Sequence, residues 1–279
     1  MVITNKVKKK RFILYFILII AGLFFVFPFI WMVLSSLKLN KDVLAIPIKI
    51  FPPTWNFKSY YNVFTSEIYN FPRYFLNSSI VAIFAVSIAV ILSTTAGYGF
   101  AKYKFKGNNF LFLLILSTIM IPFQSRVIPL FFLVKKMGLG DSYLGLILPA
   151  SISAFCIFLM RQFMISIPNE VIESARIDGA SEFRIFFSII IPMSRLAIIA
   201  LIIFHVQGVW NSFLWPLVIT TSPKMRTLPL GISVYSGINF TPYPELLAAC
   251  VSTIAPILLL YIFLSRHFQQ GINLTGVKK

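Results

Sequence analysis

Few side chains in this sequence have the types and spacing that bond-breaking chemistry requires. Its 279 residues include eight acids, two histidines and two cysteines, and Asp178 and Glu182 stand apart from any His or Cys. The sequence contains no G-x-x-x-x-G-K-[ST] loop to hold ATP phosphates, and G-x-S-x-G, HExxH and CxxC are also missing from it. We therefore predict no catalytic residue, no metal site and no cofactor bound by this chain.

Four residues within long apolar runs could instead bind a ligand: Gln124, Arg126, Trp210 and Asn211. Amide groups can hydrogen-bond hydroxyls, and the face of Trp210 could stack on a sugar ring, as could that of Trp215. Helix–helix hydrogen bonding and anchoring at a membrane interface are the alternatives. For Gln124, Trp210, Asn211 and Trp215, each taken alone, such a structural role is the favoured interpretation.

The composition places these residues in a membrane. The chain is 58% hydrophobic and 12% charged, contains 30 Phe and has a mean hydropathy of +0.86, far from an average soluble domain. Lys and Arg give a net charge of +17, but they punctuate apolar runs, so they indicate topology and not a nucleic-acid partner. Cys156 and Cys250 lie inside apolar runs, which favours burial over a disulfide. His205 has no nearby ligand type and is expected to pack or hydrogen-bond between helices.

Six apolar runs have the length that a spanning helix needs, about 20 residues. We expect spans at 12–34, 76–101, 109–134, 143–160, 196–221 and 246–265. The first run is longer than the apolar region of a signal peptide, and no small-residue cleavage site follows it. The predicted fold class is an all-α integral membrane protein with six transmembrane helices, which form one transmembrane domain over residues 12–265.

The distribution of Lys and Arg predicts the orientation. With the N-terminus inside the cell, fifteen of them fall in inner segments and nine in outer segments, while Arg126 lies within a span. Because inner loops carry the excess of positive charge, both ends are expected in the cytoplasm. The cytoplasmic segments would then be an N-terminal tail at 1–11, a loop at 161–195 and a C-terminal tail at 266–279.

Arg126 is the one cation predicted inside a span, in the run MIPFQSRVIPLF. A charge at the bilayer centre costs about 2.5–3.5 kcal/mol on insertion scales, so Arg126 must face a wet cavity, a partner helix or the outer interface. Pro122 and Pro129 flank it, and broken helices at membrane depth are tolerated where they line a cavity. A solute path and a structural role near the outer surface both remain open, with the path slightly favoured.

The loop at 161–195 contains IPNEVIESARIDGASEFRIFFSIIIP, which predicts two short helices joined by a tight turn. Pro168 and Glu170 suit a first helical turn, and Gly179 suits a left-handed cap at the end of that helix. Ser181 can cap the second helix. The apolar residues of the second helix repeat at helical spacing: Phe183, Phe186, Phe187 and Ile190.

This loop has two interpretations. It could be a solvated connection between two spanning helices, as most loops are. However, roughly 35 residues with two amphipathic helices exceed what a connector requires. A short helix at the membrane surface that displays small residues suits docking into a cleft on a soluble partner.

The loop resembles the cytoplasmic motif of binding-protein-dependent ABC importer permeases, which reads E-A-A, three residues, G, nine residues, I-x-L-P. The positions that match are Glu173, Ala175, Gly179, Ile189 and Pro192. Ser174 replaces the middle alanine and Ile191 replaces the leucine, and both departures are mild.

Other stretches are similar to the carbohydrate-uptake (maltose-type) branch of these permeases. They are STTAGYGFAKYKFKG, MIPFQSRVIPLFFLVKKMGLGDSYLGLILP, ARIDGAS, VWNSFLWPL and the tail FQQGINLTGVKK. They cover most of residues 76–279, whereas the first 75 residues carry less resemblance.

The resemblance implies one of two transmembrane subunits of an importer in a bacterial or archaeal cytoplasmic membrane. Its partners would be a homologous second permease, two ATP-binding cassette subunits that hold ATP and magnesium, and an external sugar-binding protein. The solute would be a sugar, with an oligosaccharide favoured. The loop at 161–195 would be a coupling loop that contacts the ATPase through Glu173, Ser174, Ala175, Asp178, Gly179, Ala180, Ile189 and Pro192.

The alternative function is a self-sufficient secondary transporter or channel. Such proteins often carry carboxylates within their spans, where they bind coupling protons or ions. All eight acids of this chain fall outside the predicted spans. This distribution favours the importer subunit.

Overall fold

A computed structural model describes the backbone of residues 5–68, 70–236 and 240–275 and the side chains of residues 11–68, 70–236 and 240–266. Helices and turns make up the described residues, without a β-strand among them. The α-helices are α1 Asn5–Ser36, α2 Asn40–Val43, α3 Lys58–Thr65, α4 Phe71–Lys102, α5 Asn108–Ser117, α6 Phe123–Lys136, α7 Tyr143–Ala150, α8 Ala154–Ile165, α9 Asn169–Ile177, α10 Glu182–Ile185, α11 Ile191–Met193, α12 Arg195–Trp210, α13 Leu214–Ile219, α14 Leu228–Ile232 and α15 Tyr243–Thr275. The all-helical class is therefore confirmed for the described part of the chain.

Three continuous helices are long and apolar enough to cross a membrane by themselves. They lie in α1, α4 and α15, at Arg11–Ser36, Phe71–Lys102 and Tyr243–Arg266. Both outer helices of the chain run into the predicted tails, because α1 begins at Asn5 and α15 continues to Thr275. Residues 1–4 and 276–279 of those tails lie outside the described residues.

Two of the other predicted spans coincide with bent helix pairs. The run at 109–134 comprises α5 and α6, which meet at 104° around Pro122, while Pro129 lies inside α6 without a break. The run at 143–160 comprises α7 and α8, which meet at 41°. By length and composition, the described residues contain up to six spans if each bent pair counts as one.

The expected span at 196–221 is divided differently in the structure. Its α12 ends at Trp210, and α13 is a separate short helix. On its N-terminal side, α12 is bent by 73° against the stretch Glu182–Met193, which belongs to the predicted loop. Ser194 alone separates the two parts, so the second helix of the loop leads directly into α12.

The chain divides into two compact units. One comprises the described residues up to Phe71 with Ile232–Ile254, and the other comprises Pro72–Gly231 with the described residues from Ala255 onward. The second unit contains two buried apolar clusters, one around Met160, Met164 and Leu201 and the other around Val81, Leu146 and Trp215.

A buried lysine organises the first unit. Lys38 is fully buried, and its Nζ donates to the Lys49 carbonyl oxygen at 2.6 Å and to Ser35 Oγ at 3.3 Å. The ammonium group also lies 4.0 Å from the centre of the Trp31 ring. Lys49 in turn pairs with Asp42 at 2.8 Å. These contacts brace the connection between α1 and α4, since a buried ammonium group without partners would be costly.

Candidate functional site

The first helix of the predicted coupling loop ends in a glycine-capped turn. After α9, the C-cap Asp178 is followed by Gly179 with φ +80°. The Gly179 N–H donates to the Arg176 carbonyl oxygen, and the Ala180 N–H donates to the Ala175 carbonyl oxygen, both at 3.0 Å. This pair of hydrogen bonds is the Schellman motif. The predicted positive φ at Gly179 is confirmed.

The second helix of the loop starts as the sequence predicts. Ser181 Oγ accepts a hydrogen bond from the Arg184 N–H at the beginning of α10. A π-helical segment at Phe186–Ile190 follows, and α11 completes the stretch. The start of the first helix differs slightly from the prediction, because Pro168 is its N-cap and Asn169 its first residue. The coupling loop also begins within α8, which extends to Ile165.

The apolar residues of the second loop helix divide between core and surface. Ile185 and Ile190 are fully buried, whereas Phe183 is 78% exposed and Phe187 61% exposed. Of the four residues expected to repeat at helical spacing, Ile190 is fully buried, Phe186 is half-buried, and Phe183 and Phe187 are exposed. Ile185 shares the buried face with Ile190, because the wider π turn places residues five apart on the same face.

The loop also exposes an apolar residue at the end of its first helix. Ile177 is 85% exposed, directly before the capped turn. On the other face of α9, Ile172 is buried in the cluster around Met160 and Met164. The helix is thus fixed by one face and presents the other, as a docking helix must.

The residues predicted to contact the ATPase are likewise divided between outward-facing and half-buried positions. The residues that face outward are Glu173, Ser174, Asp178, Gly179 and Pro192, and those that are half-buried are Ala175, Ala180 and Ile189. Ser174 Oγ donates to the Glu170 carbonyl oxygen at 2.8 Å within α9, so its hydroxyl is satisfied where the family motif has alanine. The structure thus brings the predicted coupling residues together on one segment.

A charged cluster that the sequence analysis did not single out joins the two loop helices. Arg176 binds Glu182 through two nitrogens, with Nε–Oε1 at 2.6 Å and Nη2–Oε2 at 3.2 Å. The Tyr103 hydroxyl donates to Glu182 Oε2. Hydrogen bonds from Arg176 and Tyr103 lower the pKa of Glu182, while burial and the bond to Glu182 raise the pKa of Tyr103. Both groups therefore keep their charge states around neutral pH.

The predicted ligand-binding residues lie in two places. Gln124 and Arg126 are exposed on the first turns of α6, just after the sharp bend, and Arg126 Cζ is 5.9 Å from the Phe123 ring centre. Trp210 and Asn211 are consecutive at the end of α12, where Trp210 is buried and Asn211 exposed. The Trp210 ring packs edge-on against Phe75 with centroids 5.8 Å apart.

Trp210 also lines a cavity of about 550 Å³ between α4, α12 and α15. Its walls are mainly apolar, and Ser79 and Ser87 of α4 contribute hydroxyl groups. Pro256 lies on the α15 wall. This volume is within the range of small-ligand pockets, about 300–1,000 Å³.

Two other polar residues of the apolar runs have structural partners. His205 Nε2 is 2.9 Å from the Ala150 carbonyl oxygen, and Trp215 Nε1 donates to the Gly145 carbonyl oxygen at 3.0 Å. The helix–helix hydrogen bond expected for His205 is confirmed. Among the described residues, no group of three or more His, Cys, Asp or Glu could hold a metal ion.

Comparison with known proteins agrees with this arrangement. Residues 89–274 match the family described as binding-protein-dependent transport system inner membrane component. The chain is 35% identical to the arabinooligosaccharides transport system permease protein AraQ of Bacillus subtilis (strain 168), over 92% of each chain. It is 33% identical to the diacetylchitobiose uptake system permease protein NgcG of Streptomyces coelicolor, over 92% of this chain and 85% of that one.

A solved structure shares the fold. It is a chain in the crystal structure of a bacterial ABC transporter involved in the import of the acidic polysaccharide alginate. The TM-score is 0.84 and the identity 20%, over 96% of this chain and 99% of that chain. With its apolar helices and its motif-bearing loop, this chain therefore belongs to the family of binding-protein-dependent transport system inner membrane components, and it is an integral, multi-pass membrane permease.

Proposed function

We propose that this chain is a transmembrane subunit of an ATP-driven importer for a carbohydrate, with an oligosaccharide as its solute. The relatives named for arabinooligosaccharides and diacetylchitobiose support this solute class, because their similarity extends over nearly the whole chain. The external sugar-binding protein would deliver the solute, in keeping with the family's dependence on a binding protein. The subunit would have six spans, with both termini in the cytoplasm.

The observation that carries the proposal is the surface of the coupling loop. Ile177 and Phe183 expose 85% and 78% of their surface on either side of the capped turn at Gly179. Large apolar side chains surrounded by charged residues are typical of protein–protein contacts. A cytoplasmic loop lies outside the lipid, so the occupant of this surface would be an ATPase subunit.

The solute path would be formed together with a second, homologous permease. The sharp bend between α5 and α6 leaves Gln124 and Arg126 exposed beside it, and irregular backbone at membrane depth suits a wet path. Asn211 and the cavity beside Trp210 are the other candidates for contact with the solute.

The mechanism would be alternating access. Two ATPase subunits bind ATP and magnesium and close on each other, and the docked coupling loops convert that closure into movement of the spanning helices. This chain contributes part of the solute path and the coupling loop that transmits the movement, and it performs no bond chemistry.

Reconstitution in liposomes tests the proposal. The chain is assembled with its partner permease, ATPase subunits and loaded binding protein, and uptake of labelled arabino- and chito-oligosaccharides is measured. Uptake should require ATP and every partner. Uptake by the chain alone without ATPase, unaffected by Gly179→Val, would overturn the importer and favour a secondary carrier.

A further inference from the structure

The C-terminal end of α4 is fastened to both helices of the coupling loop. Lys102 Nζ donates to the Ile167 carbonyl oxygen and, at 2.9 Å, to Asn169 Oδ1 at the start of α9. The Tyr103 hydroxyl donates to Glu182 at the start of α10. We call Lys102, Tyr103, Arg176 and Glu182 the α4 clamp.

Within the clamp, Glu182 connects three elements. Its two carboxylate oxygens bind Arg176 at the end of α9, and one of them also accepts from Tyr103. Below these polar contacts, the buried Tyr98 ring lies 5.4 Å from Tyr103 and 5.4 Å from Phe186 of the second loop helix. Polar and aromatic contacts thus hold the two loop helices and the end of α4 as one body.

The spanning helices differ in how they are joined to this body. The second loop helix continues into α12 with only Ser194 between them, so movement of the loop reaches α12 through the backbone. In contrast, α4 is far from the loop in sequence and depends on side-chain contacts. Besides the clamp, α4 packs on α8 at Gly97, where an added Cβ would lie 2.6 Å from Met160 Cβ.

This difference matters because α4 and α12 form facing walls of the cavity of about 550 Å³. If α12 moved and α4 did not follow, motion of the loop would deform the cavity instead of opening or closing the path. A device that makes α4 follow the loop is therefore needed for coupling.

We propose that the α4 clamp is this device: Lys102 and Tyr103 are positioning residues that make α4 move with the coupling loop. The proposal rests on the importer function above. It assigns a role to residues outside the docking surface, so docking of the ATPase and transmission of its movement can be separated by mutation.

The test uses the double variant Lys102→Met/Tyr103→Phe, which removes both hydrogen-bonding groups from α4 and leaves the loop residues unchanged. Lys104→Met, two residues further along the same exposed end, is the matched control. In the complete reconstituted importer, we measure retained ATPase subunit, ATP hydrolysis and oligosaccharide uptake per ATP.

The double variant should retain the ATPase and hydrolyse ATP within about twofold of the parent, while uptake per ATP falls about three- to thirtyfold. The control should match the parent in retained ATPase subunit, ATP hydrolysis and uptake per ATP. In a chain whose native cysteines are replaced by alanine, Tyr103→Cys and Glu182→Cys joined by a flexible bis-maleimide should regain uptake per ATP relative to the unlinked pair. A merely structural role would not predict this rescue.

Two results would overturn the proposal. Unchanged uptake per ATP in the double variant would mean that the remaining contacts of α4, including those of Tyr98 and Gly97, suffice to move α4. Loss of bound ATPase would mean that the clamp supports docking and not transmission. Failure of the importer function itself would be seen separately, as ATP-independent uptake by the parent.

Discussion

Two turns in this protein have the same backbone conformation but differ in the residues that pack beside them. One follows α6 at Gly138 and the other follows α9 at Gly179, with φ +73° and +80°. After α6, the Gly138 N–H donates to the Lys135 carbonyl oxygen and the Leu139 N–H to that of Val134, which repeats the Schellman pattern of the loop turn. At both glycines, an added Cβ would meet no other atom within 4 Å.

After the turn at Gly138, the chain packs back on the protein, although residues 135–138 are themselves exposed. Leu139 packs on the buried cluster that contains Val134. Asp141 Oδ1 accepts from the Thr221 N–H at 2.9 Å and the Ser222 N–H at 3.1 Å, which fastens the turn to the end of α13. The residues that follow this turn are thus held within their own unit.

The turn at Gly179 leaves its apolar flank open. Ile177, Phe183 and Phe187 project outward, while the half-buried Ala175 and Ala180 pack on the core beneath them. The two turns show that a Schellman cap ends a helix through local hydrogen bonds alone. Whether such a turn can serve as a docking surface depends on which apolar side chains the rest of the fold leaves exposed beside it.

The largest expected difference is that the two turns lie on opposite sides of the membrane. A cysteine at Ser181 should resist an impermeant external maleimide in intact cells, whereas a cysteine at Lys136 should react with it. The chain without a new cysteine gives the background from the half-buried Cys250. Labelling of both positions from outside would contradict the six-span orientation.

A second comparison introduces the same strain at both glycines. Gly179→Val and Gly138→Val should each cost about 1–2 kcal/mol or more, because β-branched residues strongly disfavour positive φ. Only Gly179→Val should also abolish co-purification of the ATPase and lower uptake at least about tenfold per permease in the membrane, a docking loss of about 1.4 kcal/mol or more. Equal losses of uptake in both variants would show that strain alone is responsible.

A third variant removes an exposed apolar side chain from each turn. Ile177→Ala should weaken ATPase binding by about 1–2 kcal/mol, since anchors at interface centres reach or exceed this value. Met137→Ala, at the cap before Gly138, should leave binding unchanged although Met137 is 58% exposed. Binding is measured with purified ATPase subunits on permease in nanodiscs, and equal affinities for Ile177→Ala and the parent would remove Ile177 from the contact.

At the other end of α6, Arg126→Ala tests whether Arg126 contacts the solute. Arg126 is exposed, so the substitution should leave the amount of assembled complex near that of the parent. Uptake per assembled complex should fall about two- to tenfold if the guanidinium contributes one hydrogen bond to the solute. A fall in assembly with unchanged uptake per complex would indicate a structural contact with the partner permease.

The smallest effect on transport is expected at the turn around Gly138. Asp141→Ala removes two hydrogen bonds and should cost about 1–3 kcal/mol of thermal stability while uptake per complex stays unchanged. Burial opposes ionisation of Asp141, but hydrogen bonds from Ser222 and Thr221 outweigh it and lower its pKa. Its contribution is therefore present above the unfolded pKa of about 3.9 and lost as pH falls through the lower folded value. Melting curves at pH 7 and pH 3 should differ less for the variant than for the parent.

The local conformations of the coupling loop could be predicted because each depends on a few neighbouring residues. Gly179 is positioned for a left-handed cap, and Ser181 precedes a helix that it can cap. The long apolar runs likewise predicted helices, since a chain in lipid must satisfy its backbone hydrogen bonds internally. Proline alone did not locate the helix break, since Pro122 precedes α6 whereas Pro129 lies inside α6 without a break.

Other features depended on contacts between segments that are distant in sequence. The π segment at Phe186–Ile190 places Ile185 and Ile190 on one buried face, which no helical repeat in the sequence indicates. Tyr103 and Glu182 are 79 residues apart, and only the packing of α4 against the loop joins them.

The sequence by itself determined that this protein is a helical membrane permease and where its predicted coupling turn lies, because hydropathy, capping and motif spacing are properties of neighbouring residues. The tertiary structure alone decided which face of that turn is open and which spanning helix is fastened to it. Burial and long-range hydrogen bonds exist only after the helices have packed, so these assignments could not be made from the order of residues.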